Sequence, residues 1–329
     1  MSSVTYLVKR TAQTVFLLFV VLTFLFFLLR LMPGSFTSVL LAEGASEEAI
    51  AAFEAKWGLN QPLYVQYYQY LRNFVTLDMG HSLQTGEPVW EYVQMRVFNT
   101  LLLGVPAITL SYVLGTLFGS YMGFNKGSMT ERSGLISVLF VGSFPSFFLA
   151  MVMVIVFAGI LDIFPTGGLA SVQRLTSEMP WYEMYLSTDF LWHWTLPAAT
   201  VVLRYLFLPT TTMRTSLTEV SDQEFMFYHE ISGLPSTDQL RRLIRHSILP
   251  VITLYPISIA QSMSGLVLIE TVFNWPGIGY TIVQAVFARD FPVLMFLFFI
   301  TAALVIVSNF IVDIVYMYID PRISLEEEG

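Results

Sequence analysis

The stretch FNTLLLGVPAITLSYVLGTLFGSYM, residues 98–122, decides the fold class, because it carries no charged side chain over a length that can cross a membrane. The hydrocarbon core of a bilayer is about 30 Å thick, and a helix needs about 20 apolar residues to cross it. The chain has 329 residues, of which 55% are apolar and only 12% are charged. This leaves too little polar surface for a soluble globule. The sequence therefore predicts an all-α membrane protein.

Five further apolar runs resemble this stretch and predict a total of six transmembrane helices. The predicted spans are residues 11–31, 98–122, 135–160, 196–213, 250–270 and 293–317. Pro197, Arg204 and Pro209 interrupt the fourth run. Strands of a membrane barrel would show about ten residues of strict alternation, which these runs lack. The first run is too long for a signal peptide and no small-residue cleavage site follows it, so we expect it to remain uncleaved.

Basic residues in the loops predict the orientation, because cytoplasmic loops carry an excess of lysine and arginine. With the N-terminus inside, the inner side would hold nine basic residues: Lys9, Arg10, Lys126, Arg132, Arg214, Arg241, Arg242, Arg245 and Arg322. The outer side would hold six: Arg30, Lys56, Arg72, Arg96, Arg174 and Arg289. We therefore expect both termini to be cytoplasmic.

Residues that could perform chemistry are sparse. The chain has no cysteine, no phosphate-binding GxxxxGK[ST] loop, no HExxH and no GxSxG, and its four histidines lie in separate regions. The sequence therefore predicts no catalytic residue, no metal site and no bound cofactor. The net charge of -8, with three lysines against thirteen arginines, indicates a halophilic prokaryote such as an archaeon, or a GC-rich genome.

A polar segment lies between the fourth and fifth spans. Ser221 and Ser236 each open a capping-box pattern, which predicts two short helices. Gly233 would end the first helix in the left-handed conformation, and Pro235 would prevent its continuation. The second helix would have an apolar face and a basic face. This predicts a helical hairpin on the cytoplasmic side, which could also lie on lipid headgroups.

The chain resembles the first permease subunit of the dipeptide/oligopeptide/nickel family of binding-protein-dependent ABC importers. The resemblance runs almost end to end, through the polar segment and the motifs FLLRLMPG (27–34), WGLNQPLYVQYYQYLRNF (57–74), PSFFLA (145–150), FPTGG (164–168), LPA (196–198), ETVFNWPGIGYTIVQAVFARDFPVL (270–294) and DPRI (320–323). It implies a type I ABC importer permease fold. Residues 1–94 would form an N-terminal span with an extracytoplasmic segment, residues 95–317 the importer transmembrane domain, and residues 318–329 a cytoplasmic tail.

The resemblance also implies the partners and the cargo. In the cell membrane, this chain would pair with a homologous second permease subunit, two ABC ATPase subunits that hold ATP and magnesium, and an extracytoplasmic solute-binding protein. No nucleic acid is expected as a partner. The cargo would be di- or oligopeptides, with nickel, glutathione or oligosaccharides as alternatives.

By the same resemblance, the polar hairpin would be the coupling helix that contacts an ATPase subunit. The residues concerned are Phe227, Tyr228, His229, Glu230, Gly233, Leu234 and Pro235. The general motif of the family has a glutamate and two small residues where this chain has Phe227, Tyr228 and His229. Either the ATPase cleft has changed to match these bulky residues, or they pack on the underside of the permease.

Two further sets of residues are candidate functional positions. Tyr64, Tyr67 and Tyr68 recur at helical spacing and, with Trp90, form a candidate dock for the binding protein; packing at the headgroup level is the alternative. Candidate residues of an outer gate or pathway are Arg204, Glu270, Asn274 and Trp275. For Glu270, a helix cap or a pair with an outer arginine is the favoured alternative to contact with the cargo. A charge inside a span is costly toward lipid, so Arg204 should face a subunit interface or water, unless the span is shallow enough for it to snorkel.

Two other function classes are less well supported by the sequence. A secondary transporter would need intramembrane ion or proton sites, often in two repeated halves, and no repeat is visible. An intramembrane enzyme would need a converging nucleophile or metal cluster, and the sequence offers none.

Overall fold

The computed structural model describes residues 3–31, 47–175, 180–223 and 235–319. Within these ranges the chain is helical, and the β-type pairing is limited to an isolated bridge between His81 and Pro88. The helices are α1 Ser3–Leu31, α2 Glu47–Trp57, α3 Leu63–Val75, α4 Val89–Phe124, α5 Met129–Ser143, α6 Ser146–Met153 with a π-helical continuation Val154–Ile160, α7 Val172–Leu175, α8 Trp181–Tyr185, α9 Thr188–Tyr205, α10 Phe207–Ser221, α11 Ser236–Ser247, α12 Leu249–Val272, α13 Ile278–Phe287 and α14 Phe291–Ile319.

Several of these helices are long and apolar enough to cross a membrane, which confirms the predicted all-α membrane fold. Three qualify alone, in α1, α4 and α14, and two bent pairs, α5 with α6 and α11 with α12, bring the number to five. The region of the predicted fourth span, α9 and α10, is not among them. Its two arginines and several threonines lower its hydropathy. The sixth span therefore remains a prediction from the sequence.

The predicted span over residues 135–160 consists of two helices in the structure, with a sharp bend between them. The chain bends by 101° between α5 and α6. Phe144 ends α5 in an extended conformation, with φ −73° and ψ 139°, and Pro145 follows it. A proline disfavours the helical conformation in the residue before it and cannot donate a backbone hydrogen bond. Pro145 therefore explains the break that the apolar run by itself concealed.

Residues 1–98 and 277–329 group as one compact unit, unit 1, and residues 99–276 as another, unit 2. The core of unit 1 is aromatic. The ring of Phe26 on α1 lies 5.0 Å from the ring of Tyr67 and 5.3 Å from that of Tyr70, both on α3. Phe74 on α3 lies 5.0 Å from Phe299 on α14. Helix α3 is therefore packed as a folded part of unit 1.

Two polar contacts fix the elements of unit 1 to each other. Ser82, in the loop before α4, donates a hydrogen bond to Asp290 at the start of α14, and both residues are buried. Arg10 on α1 pairs with Asp313 on α14 at 3.2 Å. The long N-terminal helix is thus held against the last helix by charge as well as by packing.

In unit 2, α4 is the common neighbour of the other long helices, and side-chain contacts give their direction. Trp194 donates to the carbonyl of Leu102 at 3.1 Å, and further along Ser111 donates to that of Val202 at 3.0 Å. The contacts pair residue 102 with 194 and residue 111 with 202, so the residue numbers of both helices increase in the same direction and α9 runs parallel to α4. By contrast, α12 runs antiparallel, since Thr100 contacts Glu270 while Tyr112 contacts residues 254 and 258.

Candidate functional site

Asn99, at the beginning of the unit 2 part of α4, is the centre of a buried polar cluster. Its Nδ2 donates to the carbonyl of Pro276 at 2.8 Å, and its Oδ1 accepts from the Tyr185 hydroxyl at 2.7 Å. The indole Nε1 of Trp275 donates to the backbone oxygen of Asn99 at 3.1 Å. We call Asn99, Thr100, Tyr185, Glu270 and Trp275 the Trp275 cluster. Because Asn99 uses both its donor and its acceptor, the cluster fixes three separate segments relative to one another.

Glu270 supplies the carboxylate of the Trp275 cluster. It lies in the last turn of α12, is fully buried, and accepts a 2.6 Å hydrogen bond from the Thr100 hydroxyl. The backbone N–H of Trp275 donates to its carbonyl oxygen at 2.8 Å, which closes the turn after α12. Asn274 within this turn has a φ of 47°, a left-handed conformation that asparagine tolerates better than most residues.

The FPTGG stretch packs on the end of α12. Gly168 donates from its N–H to the carbonyl of Phe273 at 2.8 Å and has a φ of 87°. A Cβ on Gly167 would lie 2.0 Å from that same carbonyl oxygen, closer than any side chain can come. Both glycines of the motif are thus needed by this close backbone approach.

The structure separates the four candidate pathway residues. Glu270 and Trp275 are both fully buried, so neither side chain can contact a cargo in this conformation, whereas Asn274 is exposed. Arg204 lies away from the cluster, in the last turn of α9, where its guanidinium carbon is 5.8 Å from the centroid of the Tyr205 ring. Glu270 and Trp275 therefore support the turn after α12.

The other end of unit 2 contains an ion pair between a buried carboxylate and a partly exposed arginine. Glu131 lies in the first turn of α5 and is 4% exposed. One of its carboxylate oxygens accepts a hydrogen bond from the N–H of Gly127 at 2.6 Å, and the other accepts one from Nε of Arg214 on α10 at 2.8 Å. Ser128 caps the same helix by accepting from the N–H of Glu131 at 3.1 Å. At an exposed position beside it, Lys126 pairs with Asp222 at 3.0 Å. These contacts tie the turn before α5 to the last turns of α10.

A stripe of glycines on α4 was missed by the sequence analysis. Gly115, Gly119 and Gly123 are spaced four apart and so lie on one face of the helix. A Cβ on Gly119 would lie 2.4 Å from the backbone oxygen of Thr210, and one on Gly115 would lie 2.6 Å from a side-chain carbon of Pro209. The repeated GxxxG spacing, which is typical of closely packed membrane helices, could have predicted this contact between α4 and α10.

The predicted hairpin is described in part, and its capping pattern is wrong. Ser221 is the last residue of α10, not the cap of a new helix. Residues 224–234, with Phe227, Tyr228, His229, Glu230, Gly233 and Leu234, lie outside the described residues. The N-cap of α11 is Pro235, which provides no side-chain hydrogen bond. Ser236, the predicted cap, is the first residue of the helix.

The predicted amphipathic character of the second hairpin helix is confirmed. In α11 Leu243 and Ser247 are buried, while Arg241, Arg242 and Arg245 are exposed. Lys126 pairs with Asp222, so α10 ends beside the α4–α5 turn, which is the end of α4 remote from Asn99. The basic face of α11 is therefore presented at the Glu131 end of unit 2.

The candidate dock residues differ in exposure. Tyr64 is 75% exposed and Tyr68 is 67% exposed, whereas the hydroxyl of Tyr67 is hydrogen-bonded to Thr23 at 2.6 Å and its ring packs on Phe26. Trp90 is partly exposed and its ring lies 6.0 Å from that of Phe296. Of the four, Tyr64 and Tyr68 present the largest free aromatic surface.

Within the described residues, no group of three or more histidine or carboxylate side chains could hold a metal ion. The buried carboxylates described above are hydrogen-bonded to partners inside the protein. Together with the apolar helices, these features define the class of the protein as a helical integral membrane protein.

The chain belongs to a family of transport permeases. A family model described as binding-protein-dependent transport system inner membrane component matches residues 115–325, and one for the N-terminal part of such membrane components matches residues 3–104. The oligopeptide transport system permease protein AppB of Bacillus subtilis is 31% identical over 97% of this chain and 99% of its own length. A probable peptide ABC transporter permease of Sinorhizobium fredii is 30% identical over 97% of this chain and 98% of its own. A metal-staphylopine import system permease of Staphylococcus aureus is 28% identical over 97% of each chain. The resemblance drawn from the sequence motifs is thereby confirmed.

Proposed function

We propose that this chain forms half of the translocation pathway of an ATP-driven importer that takes up peptides. The observation that carries this proposal is the similarity, over nearly the whole length, to permeases named for oligopeptide and peptide transport. The relative named for metal-staphylopine import marks small metal complexes as the second candidate cargo. A homologous permease would complete the pathway, and two ATPase subunits would hydrolyse ATP.

The arrangement of unit 2 supports a role in crossing the membrane. At a rise of about 1.5 Å per residue, residues 99 and 124 of α4 are about 37 Å apart, which exceeds the roughly 30 Å hydrocarbon core. The Trp275 cluster lies at one end of this length and the Glu131–Arg214 pair at the other. We propose that these two polar clusters lie where the bilayer meets water.

The segment after α10 is proposed to couple transport to ATP hydrolysis. It begins at the end where Lys126, Arg132 and Arg214 lie, and the basic face of α11 follows it. An excess of basic residues favours the cytoplasmic side, where the ATPase subunits would be located. The exposed Tyr64 and Tyr68 would lie on the opposite side, where a binding protein could dock.

Uptake by the reconstituted complex tests the proposal directly. Both permeases and both ATPase subunits are placed in proteoliposomes, and the binding protein is added with radiolabelled trialanine. We expect uptake that requires both ATP and the binding protein. Uptake that continues without ATP but depends on an ion gradient would refute the importer in favour of a secondary transporter.

Sidedness is tested by cysteines introduced singly into this cysteine-free chain. Thr85 and Ser236 are both exposed, and we propose that they lie on opposite sides of the cell membrane with both termini cytoplasmic. An impermeant maleimide applied to intact cells should label Thr85→Cys and not Ser236→Cys. Equal labelling at both positions would contradict the topology.

A further inference from the structure

Arg204 is a cation with no anionic partner among the described residues. Among the described residues, Arg10, Lys56, Lys126 and Arg214 each have a carboxylate partner. Arg204 has no ion pair and no hydrogen bond within the part of the chain that the structure describes, and its one polar contact is the ring of Tyr205. An arginine carries five N–H donors that need acceptors wherever water is scarce.

The position of Arg204 along the membrane normal follows from the helices beside it. Just before it, the carbonyl of Val202 accepts from Ser111, and just after it, Pro209 approaches Gly115. Arg204 is therefore level with about residues 112–113 of α4. At about 1.5 Å per residue, this is about 20 Å from residue 99 and about 17 Å from residue 124. Arg204 lies near the middle of unit 2.

The face of α9 that carries Arg204 points into unit 2. Residues three, four and seven positions earlier share a helical face with it, and these are Val201, Thr200 and Pro197. Val201 and Thr200 are 0% exposed, and Pro197 is also buried. Arg204 is half-buried at the end of this stripe. The charge therefore lies on an inward face and remains partly accessible.

We propose that Arg204 is a mid-membrane binding residue for the carboxylate of the cargo, a role that rests on the proposed function of peptide import. A peptide carries a terminal carboxylate whose hydration shell must be given up on passage. The guanidinium can replace that shell with two parallel, charge-assisted hydrogen bonds. A cargo without a carboxylate gains nothing from this contact, so Arg204 selects for anionic ends at the middle of the pathway.

The test compares one peptide with and without its carboxylate. Trialanine and trialanine amide are loaded separately onto the binding protein, and equal loading is verified by native mass spectrometry. The initial uptake of each is then measured in proteoliposomes holding the complete importer. The variants are Arg204→Gln, which removes the charge, and Arg204→Lys, which keeps the charge and loses the planar fork. Arg132→Gln is the matched control, because Arg132 is an exposed arginine on α5.

The decisive quantity is the ratio of acid uptake to amide uptake within each variant, since a general loss of activity cancels from it. We expect Arg204→Gln to lower this ratio about tenfold, Arg204→Lys to lower it less, and Arg132→Gln to leave it unchanged.

Three outcomes would count against the inference. An unchanged ratio in both Arg204 variants would overturn it while peptide import stands. Equal loss of both cargoes with a lower yield of assembled complex would also overturn it, because Arg204 would then pair with a carboxylate of the second permease. Failure of the wild-type importer to take up either peptide would refute the proposed function itself, and the role of Arg204 with it.

Discussion

The glycine stripe of α4 gives the sharpest test of the packing in unit 2, through the substitution Gly119→Ala. A Cβ at this position would lie 2.4 Å from the backbone oxygen of Thr210, 2.8 Å from the Cβ of Met213 and 3.1 Å from the backbone nitrogen of Arg214. Two of these three atoms belong to the backbone and the third is fixed to it. No rotation of a side chain can therefore relieve the overlap.

The loss in the free energy of unfolding depends on how far α4 and α10 must move apart. Ordinary van der Waals contact begins near 3.4 Å. α10 would therefore have to move by about 1 Å, and the neighbouring contacts at Gly115 and Gly123 would loosen with it. Overpacking of this kind costs about 1–3 kcal/mol in tightly packed interiors. The added methyl group brings little compensation in a membrane, where lipid solvates it equally well.

The control is Gly159→Ala, because a Cβ at that helical glycine would meet one atom, the oxygen of Val154, at an ordinary 3.8 Å. Unfolding of both variants by sodium dodecyl sulfate in mixed micelles, followed by tryptophan fluorescence, gives the change in the free energy of unfolding. We expect a loss of about 1–3 kcal/mol for Gly119→Ala and a change within about 0.5 kcal/mol for Gly159→Ala. Equal stability of the two variants would refute the close approach of α4 and α10.

Three further predictions follow from other contacts. Glu131→Gln should destabilise the chain by about 1–3 kcal/mol, because it removes the charge partner of the partly exposed Arg214. A double variant with Arg214→Gln should recover part of this loss in the same unfolding assay, and simple additivity would contradict the pair. The hydrogen bond from Lys56 holds the pKa of Asp78 below its ordinary 3.8. The stabilisation by this pair is therefore fully present above pH 3.8 and is lost as the pH falls through the lowered pKa. Lys56→Met should therefore lower stability by less than about 1 kcal/mol, by an amount constant between about pH 5 and 8; a difference that changes in that range would contradict it. Gly233→Val should abolish stimulation of ATP hydrolysis by loaded binding protein while leaving assembly intact, since a β-branched residue in the predicted left-handed turn costs about 1–3 kcal/mol. Full stimulation in that variant would exclude this turn as the coupling element.

The fold class could be predicted from the sequence because the hydropathy of a segment depends only on the residues within that segment. The long apolar helices α1, α4, α12 and α14 coincide with predicted spans. The break at Phe144 could also have been predicted, since Pro145 is visible in the sequence and its effect on the preceding residue is general. The apolar run by itself predicts a span over residues 135–160 and does not reveal the bend.

The capping boxes failed for a different reason. The pattern of a serine followed three residues later by an acid or amide describes a helix start, and the same residues are compatible with a helix end or with the first helical turn. Ser221 ends α10 because the apolar contacts of Met213 and Leu217 extend that helix beyond the predicted span, and both side chains are fully buried. Tertiary packing thus determined the boundary, and it cannot be read from a four-residue pattern.

The roles of the ionisable residues depended even more on tertiary contacts. Glu131 and Glu270 are each a single carboxylate at the edge of an apolar run, and nothing in their local sequence reveals the partners that they have in the structure. Glu131 receives donors from Gly127 and Arg214, and Glu270 from Thr100 more than 160 positions away. A buried charge that its own chain satisfies is held in place and is not available to a cargo. Arg204 lacks such a partner among the described residues, and this is why we propose that its anion is supplied by the cargo.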